Sequence, residues 1–366
     1  MPLEFIGMIG VSPESRDGAS VHVIGGGVDG GYLRDFARTH EAAGFDLVLV
    51  GYTSASAEGF VAATHAAAHT ERLSYLIAHR PGFVAPTLAA RKVATFDNLT
   101  GGRVALHVIS GGHDAEQRRD GDYLGHDERY RRTDEYLEVM RKTWTSDTPF
   151  DFDGDFYSFT KAFSQVKPVQ QPHPRVFFGG SSEAALRVGA GHADVYALWG
   201  EPLAAIAEQI DLIRAMAAPH GRRPEFSVSF RPILGPTEDA AWERAHRILA
   251  TIEAADHKRN KPLPGRPQNV GSRRLLDFAE QGEIHDERLW FPIAAASGAQ
   301  GNSSCLVGTP EQVADAIVAY YDIGVRYILI RGFDPMADAA EFGEELIPRV
   351  QGKVAEREAV TAGAMR

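Results

Sequence analysis

A single cysteine, Cys305, stands in 366 residues, so the chain cannot close an internal disulfide. Long apolar runs are missing as well. Nothing approaches the ~20 residues needed to cross a bilayer, and the opening MPLEFIGMIG has neither the basic start nor the apolar stretch of an export signal. These absences lead to the expectation of a cytoplasmic protein that makes no membrane contact. Charge of one sign is short too: 38 Lys and Arg face 49 Asp and Glu, a formal net charge of −11. No basic block is dense enough to follow a phosphate backbone, which argues against nucleic acid and for a small-molecule substrate. The 14 histidines form neither H-E-x-x-H nor a set with carboxylates at ligand spacing, so no metal is expected. There is no G-x-S-x-G elbow, and the first turn, GVSPESRDG, is not the G-x-G-x-x-G of a dinucleotide fold.

What is present is alternation. Short β-branched runs occur at EFIGMIG, FDLVLV, LSYLIA, RVALHVI, RVFFGG, ADVYALW, EFSVSFRPIL and RYILIRG. Most are separated by segments of helical period, among them GYLRDFARTHEAAG, PTLAARKVATFDNLTGG and PEQVADAIVAYYDIG, which carry proline at the start or glycine at the end. Regular β-α succession implies parallel pairing. Eight such units in one domain spanning residues 1–366 predict a (β/α)8 TIM barrel, class α/β, with insertions. One insertion is residues 145–170, where aromatics alternate around Asp153 and Gly154, predicting a β-hairpin placed over the barrel rim. The other is residues 256–304, rich in Lys, Arg, Pro, Gly and Asn and too long for a barrel connection. It reads either as a mobile lid loop over the mouth or as a surface loop without a catalytic part.

In such a barrel the strand ends build the site. They carry Ala78, His79, Arg80 and Pro81 on the third strand, His107 to Gly112 on the fourth, and the turn GGSS, Gly179 to Ser182, on the fifth. Trp199 and Gly200 end the sixth, Ser229 and Arg231 lie on the seventh, and Arg331 to Phe333 end the eighth. The GGSS turn passes from strand to helix and offers backbone N–H groups, two hydroxyls and a helix N-terminus to an anion. Ser181 as a plain helix cap is the alternative. With few nucleophiles in this ring, a cofactor is expected to carry the chemistry.

The segments RPGFVAPTLAARKVATFDNLTGGRVALHVISGG, LGHDERYRRTDEYLEVMRKTW, QPHPRVFFGGSSEAA and YALWGEP resemble those of the bacterial-luciferase-like flavin-dependent monooxygenases, with the alkanesulfonate monooxygenases as the nearest branch. The resemblance is dense over residues 70–202, resumes at LVGTPEQVADAI and is weak in 256–304. It implies a luciferase-like TIM barrel, reduced FMN supplied as FMNH2, O2 as co-substrate, an NAD(P)H-dependent FMN reductase as partner, and a homodimer or homotetramer. Gly180, Ser181 and Ser182 would hold the FMN phosphate, with His126 and Tyr130 beside it. His107 and Ser110 would lie along the ring and ribityl chain, and Ala78–His79 at a position where the family often has a non-prolyl cis peptide. His107 as a core histidine satisfied by backbone is the alternative there. Trp199 and His79 would border the reacting region.

The implied activity is a two-component monooxygenase acting on a small organosulfur or other small anion, including oxygenolytic C–S cleavage of an alkanesulfonate to aldehyde and sulfite. The chain departs from that branch at the substrate. Where it usually carries cysteine, arginine, histidine, arginine, tyrosine and histidine, the best-matching positions hold Ser56, Ser229, Arg231, about Ala299, Phe333 and Pro335. Arg231 and Arg331 could form a replacement anion clamp, or each could pair with a rim carboxylate. Two alternatives therefore stand beside the first reading: a deazaflavin (F420)-dependent oxidoreductase on the same fold, and a non-catalytic flavin-binding protein.

Overall fold

All eight apolar runs become strands: β1 Glu4–Ile9, β2 Leu47–Val50, β3 Ser74–His79, β4 Val104–Val108, β5 Val176–Gly179, β6 Val195–Trp199, β7 Glu225–Leu234 and β8 Tyr327–Ile330. The computed structural model describes residues 2–13, 27–258, 267–299, 301 and 303–364. Each strand pairs in parallel with the next. The ring closes where β8 meets β1, with Glu4 opposite Tyr327 and Ile6 opposite Leu329. This is the expected (β/α)8 barrel.

Side chains alternate in and out along each strand. One inward layer is Ile6, Leu47, Leu76, Ala105, Phe177, Val195 and Tyr327, which form a closed apolar plug. Two residues further along the same faces come Met8, Ala78, His107, Gly179, Ala197 and Leu329, and above some of these Arg80, Trp199 and Arg331. The plug thus fixes which residues line the mouth. Local signals set the helices between strands. Pro86 starts the helix Pro86–Thr100, and Gly101, at φ +67°, closes it. Thr309 and Gln312 form a reciprocal capping box at the start of Pro310–Asp322. No helix among the described residues is long and apolar enough to cross a membrane.

The insertion at 145–170 is a hairpin, Phe150–Asp153 antiparallel to Ser158–Ala162. It lies against the flank of the helix His126–Thr145 rather than over the rim. The N–H groups of Asp155, Phe156 and Tyr157 all donate to the Glu135 carboxylate, and Lys142 sits 5.2 Å over the Phe152 ring. Tyr157 packs on Tyr136 from the same helix, so the alternating aromatics serve this contact.

The segment 256–304 carries more regular structure than its composition suggests. It contains the helix Val270–Gln281, the short strands Ile284–His285 and Leu289–Trp290, and the helix Pro292–Ser297. Residues 259–266, 300 and 302 of this segment lie outside the described residues. Asn269 caps the first helix by accepting from the Ser272 N–H at 3.0 Å, and Leu275, Trp290 and Ile293 are buried. These short elements attach to β7, which is ten residues long. Its first part pairs within the barrel, while Arg231 to Leu234 pair with the strand Cys305–Gly308. At Arg231 the strand therefore leaves the barrel and enters a small side sheet.

Candidate active site

The GGSS turn sits where helix N-termini gather. Ser182 caps Glu183–His192, accepting from the Ala185 N–H at 3.2 Å, so the cap is Ser182 and Ser181 is left for other contacts. The Tyr130 hydroxyl shares a hydrogen bond with Ser182, and burial raises its pKa. The Tyr130 ring lies 5.0 Å from that of His126, the first residue of the helix His126–Thr145. A third N-terminus arrives from the folded insertion: a Cβ on Gly271 would lie 3.5 Å from the Ser181 hydroxyl. Each terminus brings unpaired N–H groups and partial positive charge. Gly180 makes the approach possible. Its φ is +144°, and a Cβ there would stand 2.6 Å from the Ala185 Cβ and 2.9 Å from the Tyr130 hydroxyl. The Tyr196 hydroxyl donates to its carbonyl at 2.7 Å, fixing the turn.

Deeper in the mouth, His107 and Ala78 are register partners on adjacent strands. Gly179 leaves space beside the imidazole, since a Cβ there would lie 3.6 Å from Nε2. Desolvation brings the His107 pKa down to about 4, so the ring is neutral, and its Nδ1 has no protein partner among the described residues. His79 does not join this group. It points outward, as alternation after Ala78 requires, and shares a 2.7 Å hydrogen bond with the Tyr136 hydroxyl. The Ser110 hydroxyl is also turned to the helical layer, 3.0 Å from the Thr133 hydroxyl. The Ala78–His79 peptide is trans; the cis bond among the described residues is Gln171–Pro172. Both residues stay in the ladder with β4, and a non-prolyl cis bond would cost ~3–4 kcal/mol.

Trp199 ends β6 half-buried beneath the insertion, 3.5 Å from where a Gly271 Cβ would be. The same stretch crosses to the loop after β4, where Gln268 accepts from the Asp114 N–H at 3.3 Å. Residues 268–271 thus bridge the ends of β4, β5 and β6. Arg274 anchors their helix to the buried Glu201 after β6, at 2.5 Å. The two arginines proposed as a clamp are both enclosed. Arg231 is fully buried, 4.5 Å over the Phe333 ring, and donates to the Gly332 carbonyl. The cause is the course of β7, which continues past Arg231 into the side sheet instead of ending there. Arg331 reaches the neighbouring strand β1, donating to the Met8 sulfur at 3.2 Å.

The luciferase-like monooxygenase profile matches residues 9–327. The chain belongs to that family. Among solved structures, this luciferase-like protein resembles riboflavin lyase (RcaE) with modified FMN and riboflavin, at 20% identity and a TM-score of 0.77, covering 96% of this chain and 92% of that one. It also resembles the EDTA monooxygenase EmoA from Chelativorans sp. BNC1, at 18% identity, TM-score 0.74 and coverage of 96% and 94%. A third, an F420-dependent secondary alcohol dehydrogenase with an F420–acetone adduct, has 19% identity, TM-score 0.67 and coverage of 96% and 99%. At these identities the likeness is one of fold.

The residues present in this luciferase-like barrel fit a flavin phosphate. A turn whose glycine admits no Cβ, ringed by three helix N-termini, two serines, Tyr130 and His126, suits a dianion. The unpartnered Nδ1 of His107 suits a polar ring edge beside it. Sequence reading placed Arg80 at a strand end without a role, and assigned Arg129 neither place nor role. Arg129 is buried and ties the loop after β4 to the helix start, donating to the carbonyls of Ser110, Leu124 and Gly111 and to Asp114. Arg80 ends the inward row Leu76, Ala78, Arg80 and pairs with Glu116 at 2.6 Å. The inward alternation of β3 was the signal available for Arg80, whereas nothing local marks Arg129.

Proposed function

We propose that the protein is the oxygenase of a two-component FMNH2- and O2-dependent monooxygenase that acts on a small anionic substrate, an organosulfur compound among the candidates. The observation that carries this reading is the convergence of three helix N-termini on Gly180, Ser181 and Ser182. Ser181, Ser182, Tyr130 and His126 would bind the phosphate through charge-assisted hydrogen bonds. His107 would orient the ring edge through Nδ1, with Ala78 and Gly179 giving it room. Reduced FMN supplies, when bound, the electrons that activate O2 for transfer to the substrate.

The remaining groups shield and position. Trp199 and the bridge at 268–271 exclude water from the inner mouth, which strengthens every polar contact there. A separate NAD(P)H-dependent reductase would deliver the reduced flavin. The F420-dependent neighbour keeps the second reading open on fold alone, but the HDERY helix start and the flanking hairpin favour FMN. Anaerobic titration with reduced FMN and with reduced F420, followed by admission of O2, separates them. Binding of reduced FMN and oxygen consumption are expected; binding of reduced F420 alone, without oxygen uptake, would overturn the proposal.

A further inference from the structure

The loops after β2 and β4 meet over the end of β3, at Arg80. Its side chain is only 7% exposed, and Tyr52 stacks on the guanidinium at 4.6 Å. The Tyr52 hydroxyl is held in turn by Asp120 at 2.9 Å. Glu116 engages one nitrogen: Nη2 lies 2.6 Å from its Oε2, while its Oε1 accepts the Ser54 N–H at 2.6 Å. Burial raises the Glu116 pKa, but the Arg80 and Ser54 hydrogen bonds outweigh it and bring the carboxyl below its ordinary range. Glu116 thus stays ionised and holds Arg80 in place.

The other side of Arg80 is unused. Its Nε and Nη1 are enclosed and have no partner among the described residues, and the Ser54 hydroxyl is enclosed beside them against the Glu116 carboxylate. Arg132 and Arg141 also leave Nε without a partner, but both use their two terminal nitrogens and Arg129 uses all three, so the idle terminal Nη1 is what sets Arg80 apart from them. The vacant Nε and Nη1 of Arg80 can only donate, and the Ser54 hydroxyl can turn to donate beside them, so their complement is an acceptor such as a carboxylate or sulfonate. The phosphate seat lies at the ends of β4 and β5, so this second set of donors, between the loops after β2 and β4, calls for a different anion. We propose that Arg80, with Ser54, is the subsite that recognises the oxyanion head of the substrate, in place of the residues that the seventh and eighth strands do not supply. The inference rests on the reading above that this mouth holds the substrate.

Calorimetric titration of the full-length protein with pentanesulfonate, pentanoate and pentanol, with and without FMN, tests it. At least one of the two anions is expected to bind more tightly than pentanol. Arg80→Met should weaken that anion at least tenfold, Arg80→Lys less, and Ser54→Ala by several-fold, with FMN affinity unchanged in all three. If Arg80→Met does not fold, Arg80→Lys and Ser54→Ala decide. Equal anion affinity in wild type and variants, pentanol binding as tightly as the anions, or a parallel fall in FMN affinity would each overturn the subsite. FMN failing to bind wild type while anion binding still depends on Arg80 would sink the flavin reading alone. FMN bound at the GGSS turn with no anion binding would sink the subsite alone.

Discussion

Replacing Ser181 and Ser182 together by alanine separates a ligand seat from a helix cap. Both hydroxyls stand at the turn, but only Ser182 supports the fold, through its 3.2 Å contact with the Ala185 N–H. Loss of that cap is worth ~1 kcal/mol of stability, which in a chain of this size lowers the melting midpoint by roughly 2 °C. Hydrogen bonds to a charged phosphate are worth ~1.5–3 kcal/mol each, so two of them correspond to about 3–6 kcal/mol of binding. The backbone N–H groups remain, and water can replace part of what the hydroxyls gave, so the expected loss of FMN affinity is at least tenfold. Fluorescence titration with FMN, alongside thermal melts of the two single variants, reads both quantities. Ser181→Ala should weaken FMN with an unchanged midpoint, and Ser182→Ala should lower both. If the double variant binds FMN as wild type does, the phosphate does not sit at this turn.

Gly180→Ala should destabilise the protein by about 2–5 kcal/mol, since it combines a left-handed backbone with overpacking against Ala185 and Tyr130; a denaturant midpoint equal to wild type would contradict the geometry. Stability should also fall below neutral pH. Burial brings the pKa of His40 and of His79 from 6.5 down to about 4, so between these values the unfolded chain takes up protons that the folded one refuses. Their contribution is complete above pH ~6.5, and at pH 5 each has lost about 2 kcal/mol. Urea midpoints at pH 7 and pH 5 measure this, and equal midpoints would show that these rings are not held neutral.

The architecture was legible in the sequence because it depends on local signals. Runs such as LSYLIA and RYILIRG are apolar enough to be buried on both faces, and glycine or proline marks the ends of the helices between them. The GGSS turn was legible for the same reason, since a strand end, two glycines and a helix start are contiguous. Tertiary structure decided which side chains face the mouth. His79 follows Ala78 in sequence, yet one residue along a strand reverses the face, and Tyr136, distant in the chain, receives its imidazole. Arg231 looked like a strand end until the pairing of β7 with Cys305–Gly308 carried it into a side sheet. Composition made residues 256–304 read as a loop, whereas their helix is fixed by the Asn269 cap and by Arg274 reaching the buried Glu201. Arg80 and Glu116 are 36 positions apart by their numbers, and only closure of the barrel brings their loops together. Contiguous chemistry is written in the chain; contact between separate loops comes only from the register and closure of the strands beneath them.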